Sequence, residues 1–392
     1  MRRELLCVGD ATDIATWSGT PYHFLQAGRT AGFLTGGWRL QPERLKAQRL
    51  AWNLREFLLT GRRGGFQYSE AFLSRLMAQQ DVAQGPGELL SHFPLLPGGG
   101  PLARRTSFYI DATLQQLFQA YGFAKVVSPR IAEDALRRER ENYLAARRIV
   151  CMSGWAARSV VQDYGADPNM VHVIPGGANL DESKLDSLTA PPRQTAPWPI
   201  RLAFVGKDIR RKNLTYLLSV ADILSDRGYP VEVLAAGFPP ERAVKHRLLK
   251  TVGFIDKRRD FDRFVSFVRS AHFGCLFSHA EAFGLSNREF LRLGVPVLTW
   301  DAGGMADTVP DGLGHVFRAG AAAEEVADTI AAYAEDSDAY RQLLDRVAGR
   351  AHEAGWTYAL RQFAEVWNGS AARSFANLAA GSARGNLAEA VA

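Results

Sequence analysis

The sequence has no long apolar segment and no recognisable leader. None of its apolar runs approaches the roughly 20 residues that a helix needs to cross a bilayer. Near the N-terminus only four apolar residues, 5–8, stand together before Gly9, too few for the core of a signal peptide. We therefore expect a protein without a membrane-spanning helix, whose first apolar run is a buried strand.

Cysteine is also scarce. The chain of 392 residues holds Cys7, Cys151 and Cys275, each inside a short apolar segment and without the spacing of a metal site. This placement predicts reduced thiols in buried strands rather than disulfides. A reducing compartment, the cytoplasm, is the expected location.

The composition is that of a globular protein rather than a disordered one. Hydrophobic residues make up 47% and charged residues 22%, and the length allows two domains of ordinary size. The formal net charge is +6, but no basic repeat interleaved with aromatic residues accompanies it. Nucleic acid is therefore not an expected partner, whereas an anionic membrane or a phosphorylated substrate is.

Short apolar runs alternate with helix-like segments, which predicts an α/β protein with parallel sheets. Strands are predicted at LLCVG, ELLSHFPLL, SFYID, RRIVCMS and VHVIP in the first half, and at IRLAFVG, VEVLAAG, FGCLFS, VPVLTW and GHVF in the second. Helices are predicted between them, as in PYHFLQAGRTAG, WAARSVVQDYG and NLTYLLSVADILSDRG.

Four prolines mark a predicted linker at 184–199, because prolines at that density stop both helix and sheet. The linker divides an N-terminal α/β domain, 1–183, from a C-terminal one, 200–355. Residues 356–392 are predicted to form a terminal helix, which can return to the first domain, and a flexible tail. Two such domains would enclose a cleft.

The stretch EAFGLSNRE, from Glu281 to Glu289, lies between a predicted strand and a predicted helix. Ser286 and Glu289 alone would fit a capping box, in which the carboxylate only satisfies a backbone amide. That alternative leaves Glu281 and the pair Phe283–Gly284 unexplained. Glycine lets a ligand approach the backbone, free amides at a helix start suit phosphate or sugar oxygens, and carboxylates accept hydrogen bonds from sugar hydroxyls.

A basic cluster follows the predicted strand IRLAFVG, in the stretch FVGKDIRRKN. Lys207, Arg210, Arg211 and Lys212 lie within six positions after Gly206, at the carboxyl end of a strand, where α/β proteins bind their ligands. Such a cluster can balance a diphosphate. The alternative is a solvated basic turn, and the Walker P-loop pattern is absent.

Two further stretches offer backbone close to a ligand. Gly303–Gly304 follows the predicted strand VPVLTW, although turns use glycine widely. A predicted helix near the N-terminus follows Trp17, Ser18, Gly19 and Thr20. The backbone amides there could bind a phosphate or another ligand, and the indole could stack on a sugar ring. Ordinary capping by Thr20 is the alternative.

Acid–base and metal-binding candidates are few. Asp111 ends the predicted strand SFYID and could act as a base, or could be a helix N-cap. His23 is a second candidate, with a helix-surface or core histidine as the alternative. Asp260 and Asp262 form a D-x-D, but helix capping and local ion pairs explain it better, so no metal is expected.

Together these motifs resemble the retaining glycosyltransferases of family four, the glycosyl transferases group 1. The resemblance rests on Glu-x7-Glu with its internal Phe-Gly, on GVPVLTWDAGG, and on the basic pair Lys207 and Lys212, and it covers roughly residues 141–317. It implies the GT-B fold, with two Rossmann-like domains facing a central cleft. Lys207 departs from the family, which usually has arginine there, and no first-domain histidine facing the sugar is identified.

The resemblance also implies roles for the candidate residues. Glu289 would bind ribose hydroxyls, Glu281 the transferred sugar, and the lysines the diphosphate and leaving nucleotide. Catalytic candidates are Lys207, Lys212, Glu281 and Asp111. Donor-binding candidates are Gly206, Arg211, Phe283, Gly284, Leu285, Glu289, Gly303 and Gly304. Acceptor-side candidates are Trp17, Ser18, Gly19 and Thr20.

The activity implied is transfer of a sugar from a nucleoside-diphosphate sugar to an acceptor hydroxyl with retention, without cofactor or metal. A bacterial surface glycan or its lipid-linked precursor is the expected acceptor, at the inner face of the membrane. A basic predicted helix, PRIAEDALRRERENYLAARRIV, could contact anionic lipid, or could be a solvated helix with internal ion pairs. The alternatives to a transferase are a non-catalytic GT-B binding subunit and a nucleotide-sugar epimerase.

Overall fold

A computed structural model describes residues 2–85, 87–97, 100–122, 125–187, 199–239, 241 and 244–378. The chain divides into two compact units, Met1–Pro175 with the chain from Ala359 on, and Gly176–Tyr358. Most of the predicted linker, 184–199, lies outside the described residues, and its first part, 184–187, belongs to a helix. The predicted domain boundaries stay predictions.

The first unit contains a six-stranded parallel sheet with the order β2-β1-β3-β4-β5-β6. Its strands are β1 (Arg3–Leu6), β2 (Gly36–Gly37), β3 (Glu88–Ser91), β4 (Thr106–Ile110), β5 (Arg148–Cys151) and β6 (Val171–Val173). In register, Leu6 pairs with Ser91, and Ser91 pairs with Phe108. The segments that follow β1, β3 and β4 therefore leave the sheet at the same edge.

Helices cover this sheet and enclose its apolar side chains. They are α1 (Thr20–Thr30), α2 (Lys46–Thr60), α3 (Glu70–Ala78), α4 (Pro101–Arg104), α5 (Leu114–Ala120), α6 (Pro129–Ala145) and α7 (Gly154–Gln162). The chain from Ala359 on contributes Phe363, whose ring packs 5.1 Å from Phe24 and 4.9 Å from Tyr109, centroid to centroid. Burial of these rings contributes to the hydrophobic stabilisation of the unit.

The second unit has its own six-stranded parallel sheet, with the order β12-β11-β10-β7-β8-β9. Its strands are β7 (Ile200–Val205), β8 (Val231–Ala236), β9 (Leu249–Thr251), β10 (Phe273–Leu276), β11 (Val297–Asp301) and β12 (Gly314–Arg318). Its helices are α8 (Glu182–Ser187), α9 (Leu214–Asp226), α10 (Phe261–Arg269), α11 (Leu285–Arg292), α12 (Ala323–Glu335) and α13 (Ser337–Arg350). The last helix, α14 (Trp356–Trp367), begins in this unit.

The prediction of an α/β protein with parallel sheets is confirmed, and each predicted strand is present. Central parallel strands are covered on both faces, so they are apolar runs that can be read directly from sequence. The short strands β2 and β9 were missed because Gly36–Gly37 and Leu249–Thr251 carry little apolar signal. The strand predicted at ELLSHFPLL was too long, since β3 ends at Ser91.

The cysteines are buried and form no disulfide, as predicted. Cys151 and Cys275 lie in β5 and β10, and Cys7 directly follows β1. Burial raises the pKa of the Cys7 thiol to about 12, so the thiol is neutral near pH 7. Among the described residues, no helix is both long and apolar enough to cross a membrane.

Candidate functional site

In the second unit, three neighbouring strands end at one edge of the sheet and bring the motif residues together. Strand β10 lies between β7 and β11, so the segment after β10 is flanked by the segments after the other two. The backbone amide of His279 donates to the carbonyl of Arg211 over 2.9 Å, and that of Gly304 donates to Glu281 over 3.2 Å. The three segments are thus joined by their backbones at the carboxyl edge, where ligands bind in this class of sheet.

The carboxylate of Glu281 is the centre of this cluster. One of its oxygens lies 2.9 Å from Nη1 of Arg211 and 3.3 Å from Nζ of Lys212. Arg211 also donates to the carbonyl of Ala280 over 2.7 Å, which fixes its position. Burial alone would raise the pKa of Glu281, but Lys212 and Arg211 together hold it below its ordinary value. Asp208 also lies 3.7 Å from Nε of Arg211, so two carboxylates face these two cations. The positive excess of the segment, suited to an anion, comes from the further cations Lys207 and Arg210.

Two glycines permit the close packing of this cluster. A Cβ on Gly206 would lie 2.2 Å from Cδ of Lys212, so only glycine lets the lysine stem cross the end of β7. Gly303 has a φ of 61°, and a Cβ there would lie 2.0 Å from the carbonyl oxygen of Glu281. Gly303 therefore lies against the backbone of Glu281 rather than against a ligand, and this contact positions Glu281 from the side of β11.

Helix α11 begins at Leu285, with Gly284 as its N-cap and no side-chain cap. The capping box of Ser286 and Glu289 is therefore not formed, and that alternative is wrong. Glu289 is 4% exposed, and its carboxylate accepts a hydrogen bond from Nζ of Lys257. Lys257 also donates to the carbonyl of Asn179 over 3.0 Å.

Lys257 contacts the candidate residue Glu289, and the sequence analysis did not identify it. It lies 32 positions before Glu289, in GFIDKRRD, where it precedes Arg258 and Arg259 and is part of no recognisable motif. Only a signal of pairing between distant positions would have found it. Lys207, which was predicted as a catalytic residue, is exposed and is not among the described partners of Glu281; its Nζ lies 5.4 Å from the centre of the Phe254 ring.

The D-x-D stretch lies at the start of α10. Asp260 is the N-cap, but its side chain forms no capping hydrogen bond, so the expectation of capping by Asp260 was wrong. Within the part of the chain that the structure describes, no three or more His, Cys, Asp or Glu side chains form a group that could hold a metal ion. Whether the activity requires a metal stays a prediction.

In the first unit, the acceptor-side candidates lie where β1, β3 and β4 end. Trp17 packs against two residues that follow β3, at 5.8 Å from His92 and 6.0 Å from Phe93 between ring centroids. The indole nitrogen donates to the carbonyl of Val8 over 2.9 Å, yet 41% of Trp17 remains exposed. An aromatic face held in this way can pack on a sugar ring.

The backbone before α1 is in an unusual conformation. Trp17 and Ser18 have φ values of 48° and 58°, a region that costs energy for residues other than glycine and is often found at functional sites. Helix α1 begins at Thr20 with Gly19 as N-cap and no side-chain cap, so the alternative of capping by Thr20 is wrong.

Asp111 directly follows β4, and it is not a helix N-cap. Thr113 caps α5 instead, in a capping box with Gln116, so that alternative for Asp111 is also wrong. His23 lies on α1 with its ring against Tyr22, at 5.3 Å between centroids.

His92 is a buried histidine of the first unit that the sequence analysis did not consider, because its position was predicted to lie in the middle of a long strand. Its Nδ1 lies 2.8 Å from the carbonyl of Tyr109, and a carbonyl can only accept, so Nδ1 carries the proton. Burial lowers the pKa of His92, and the nearby Asp111 carboxylate opposes this only in part. The ring is therefore neutral near pH 7, with Nε2 as an acceptor.

Comparison with known proteins finds similarity to the family that the motifs resemble. Residues 194–348 match the family model described as glycosyl transferases group 1. A D-inositol 3-phosphate glycosyltransferase of Nocardia farcinica is 30% identical over 236 residues, 56% of this chain and 52% of that protein. One from Kribbella flavida is 27% identical over 314 residues, 72% of each chain. The chain spans about half to three fifths of the length of the first curated relatives it matches.

Solved structures extend the likeness to both units. WaaG, described as a glycosyltransferase involved in lipopolysaccharide biosynthesis, aligns with 94% of this chain and 100% of its own, with a TM-score of 0.64 and 11% identity. Anabaena HepE in complex with UDP and glucose has the same coverage, with a TM-score of 0.59 and 13% identity. At such identities the likeness concerns the fold, and it confirms the predicted GT-B fold of two Rossmann-like units.

Proposed function

We infer that this chain, whose residues 194–348 match the family model of the glycosyl transferases group 1, transfers a sugar from a nucleoside-diphosphate sugar to an acceptor hydroxyl. The new bond forms on the face that the nucleotide leaves, so the anomeric configuration is retained. The observation that carries the proposal is the convergence of Arg211 and Lys212 on the Glu281 carboxylate at the carboxyl edge of the sheet.

The positive excess of this cluster suits the chemistry. As the bond between sugar and diphosphate breaks, negative charge grows on the diphosphate, and fixed cations in a partly buried site stabilise it. Lys212 has 13% of its side chain exposed and Arg211 29%, so neither is fully screened by water. Lys207, exposed beyond them, adds positive charge toward solvent.

Carboxylates recognise the uncharged parts of the donor. Glu281 accepts hydrogen bonds from hydroxyls of the transferred sugar, beside the backbone of 283–285, and Glu289 accepts from the ribose hydroxyls. In the free protein Lys257 holds the Glu289 carboxylate, so the acceptor oxygens are pre-positioned before the donor arrives.

The acceptor binds the first unit at the edge formed after β1, β3 and β4. Trp17 packs on an acceptor sugar, and Asp111 takes the proton of the attacking hydroxyl, with neutral His92 beside it. The acceptor is a growing bacterial surface glycan or its lipid-linked precursor. The protein works without a cofactor or metal, at the cytoplasmic face of the membrane.

The first test is thermal unfolding of the purified protein against nucleoside diphosphates and nucleotide sugars, with a chelator present. A ligand that binds the folded state raises the Tm by mass action. We expect one nucleotide base to shift the Tm of the wild type and of Glu232→Ala, a matched control whose carboxylate also pairs with a lysine of this unit. Glu289→Ala should remove the shift, and no shift with any nucleotide at millimolar concentration would overturn the proposal.

Turnover separates the transferase from its alternatives. Incubation of the selected donor with a lipid-linked glycan fraction should release nucleoside diphosphate and form a product whose anomeric configuration, read by NMR, equals that of the donor. A selective Tm shift without product for any acceptor would favour a non-catalytic binding subunit. Conversion of the donor sugar in the absence of acceptor would favour an epimerase.

A further inference from the structure

Helix α2 of the first unit exposes its apolar side chains to solvent, whereas an ordinary surface helix buries them. It has 15 residues, and none of them is buried. Its large apolar side chains are instead exposed: Leu50 at 73%, Leu54 at 60%, Leu58 at 75%, Leu59 at 67% and Phe57 at 41%. Exposed apolar residues of this size normally occur singly rather than along one helix.

The spacing of these residues makes a continuous surface. Leu50, Leu54 and Leu58 recur every four positions, which places them above one another on one side of the helix. Packing against the unit comes from another side: Trp52 contacts the first-unit core, with its ring 5.7 Å from that of Phe66. Asn53 and Glu56 are also partly buried. The apolar stripe therefore points into solvent, and the more polar side points inward.

Positive charge surrounds the stripe. Residues 46–63 contain a single acidic residue, the partly buried Glu56. The cations are Lys46, Arg49, Arg55, Arg62 and Arg63. In the described part of the chain, Lys46, Arg49 and Arg55 form no ion pair with a carboxylate, and Arg63 lies 4.4 Å from the centre of the exposed Phe57 ring.

The basic helix that the sequence suggested for lipid contact, α6, is different. Arg137 pairs with Asp134 and Glu141 at 2.5 and 2.6 Å, and Arg138 is buried. Its apolar residues Ile131 and Tyr143 face the core. Helix α6 is therefore a structural helix, and its internal ion pairs neutralise Arg137 and Arg138.

We propose that α2 lies on the surface of an anionic phospholipid bilayer, with Leu50, Leu54 and Leu58 inserted among the acyl chains. This inference rests on the membrane contact proposed above and names the surface that makes it. A helix with an apolar stripe and a cationic border lies in the plane of the interface, where apolar burial and attraction to anionic headgroups add. A second copy of the chain fits less well, because two such borders would place like charges together.

Sedimentation with vesicles tests this directly. Vesicles of phosphatidylcholine with phosphatidylglycerol should pellet the wild type, and pure phosphatidylcholine should pellet much less of it. The triple variant L50Q/L54Q/L58Q should lower the partition coefficient roughly 100-fold, because three leucines no longer leave water. The matched control L144Q/M170Q, two exposed apolar residues of the same unit, should pellet like the wild type.

Charge gives a second arm. R49Q/R55Q should lower binding to the anionic vesicles about tenfold and flatten its dependence on salt, whereas R137Q in α6 should change neither. Thermal unfolding checks that each variant is folded. The Tm shift with the selected nucleotide should persist in every variant, so failure of this inference is separable from failure of the donor-binding proposal.

Three results would overturn the assignment. The first is pelleting of L50Q/L54Q/L58Q equal to that of the wild type. The second is a wild type that stays in the supernatant with the anionic vesicles. The third is a concentration-dependent dimer in light scattering that the triple variant abolishes while vesicle binding is unchanged, because the stripe would then join two copies of the chain.

Discussion

Replacing Glu281 with glutamine should have opposite effects on the free protein and on its complex with a nucleoside diphosphate. In the free protein the carboxylate neutralises part of the charge of Arg211 and Lys212, from 2.9 and 3.3 Å. A diphosphate that enters the same cluster is attracted by the two cations and repelled by the carboxylate. Glutamine keeps the shape and one acceptor oxygen but removes the negative charge.

The magnitude for the free protein follows from this geometry. Two unit charges about 4 Å apart interact by about 4 kcal/mol at an effective dielectric constant of about 20. Removing one partner of a buried pair costs about 3–5 kcal/mol, but Arg211 keeps 29% of its side chain exposed and is partly solvated. We therefore expect the free energy of unfolding of E281Q to fall by about 2 kcal/mol.

The pH dependence has a definite sign. The folded-state pKa of Glu281 lies below its ordinary value of 4.5, so the folded state binds fewer protons than the unfolded state in this range. The stabilisation is fully present above pH 4.5 and is lost as the pH falls through the lower folded-state value. The stability difference between wild type and E281Q should therefore shrink in acid, which urea unfolding at several pH values measures.

Ligand binding should move the other way. Without the competing carboxylate, we expect nucleoside diphosphate to bind E281Q about tenfold more tightly, a gain of about 1.4 kcal/mol. Turnover with the complete donor should fall about 100-fold, because the hydroxyls of the transferred sugar lose a charged acceptor. Titration calorimetry and initial rates measure the two effects separately.

The matched control is Glu232→Gln. Glu232 pairs with Arg201 at 3.3 Å and with Lys250, whose side chain is 61% exposed, so its loss should cost under about 1 kcal/mol and leave nucleotide affinity unchanged. If E281Q keeps wild-type stability and binds the diphosphate more weakly, Glu281 does not compete with the anion, and the account of a cationic cluster balanced by Glu281 fails.

Three further changes test other parts of the structure. Lys257→Met leaves the Glu289 carboxylate without its cation and should raise the Kd for nucleotide about tenfold by calorimetry; an unchanged Kd would exclude a positioning role. Gly303→Ala should cost about 2–4 kcal/mol in urea unfolding, because its Cβ would clash with the Glu281 carbonyl at a positive φ; wild-type stability would contradict that packing. Burial raises the pKa of Glu139 to about 8, so its contribution to stability should be lost as pH rises from 4.5 through 8, and the wild type should lose stability relative to Glu139→Gln over that range; equal slopes of the two proteins in urea unfolding would refute it.

The sequence was informative where structure follows from local pattern. Each central strand is a short apolar run, and parallel strands place their carboxyl ends at one edge of the sheet. Gly206, Arg211, Lys212 and Glu281 follow the ends of β7 and β10, which are neighbours in the sheet. Their convergence could therefore be anticipated without coordinates.

Contacts between distant positions could not be anticipated in this way. The pairing of Lys257 with Glu289 joins residues from two different segments, and neither segment contains a pattern that predicts contact with the other. His92 was hidden because an apolar run continues past it, and only the backbone shows that the strand ends at Ser91. For α2, the four-residue spacing of leucines ordinarily predicts a face toward the core, and only the exposure of Leu50 and Leu58 reverses that interpretation.

Helix α11 shows why stability alone does not account for the sequence of the site. Its first turns bury the polar residues Ser286, Asn287, Arg288 and Glu289, and buried polar groups are costly unless they are paired. Arg288 donates to the carbonyls of Gly176 and Glu353, and Asn287 donates to two threonine hydroxyls, so these residues hold the helix in place.

The other two buried polar residues, Ser286 and Glu289, differ in their hydrogen bonding. Ser286 is 6% exposed, and its hydroxyl has no hydrogen-bond partner among the described residues. Glu289 is held through Lys257, whose own side chain is 28% exposed and can move toward solvent. An unsatisfied buried hydroxyl costs about 1–3 kcal/mol. We therefore expect a bound ligand to form the hydrogen bond that, among the described residues, the Ser286 hydroxyl lacks in the free protein. Both residues lie in the first two turns after Gly284, on the segment proposed to hold the donor, which is where ligand hydroxyls would complete their hydrogen bonds.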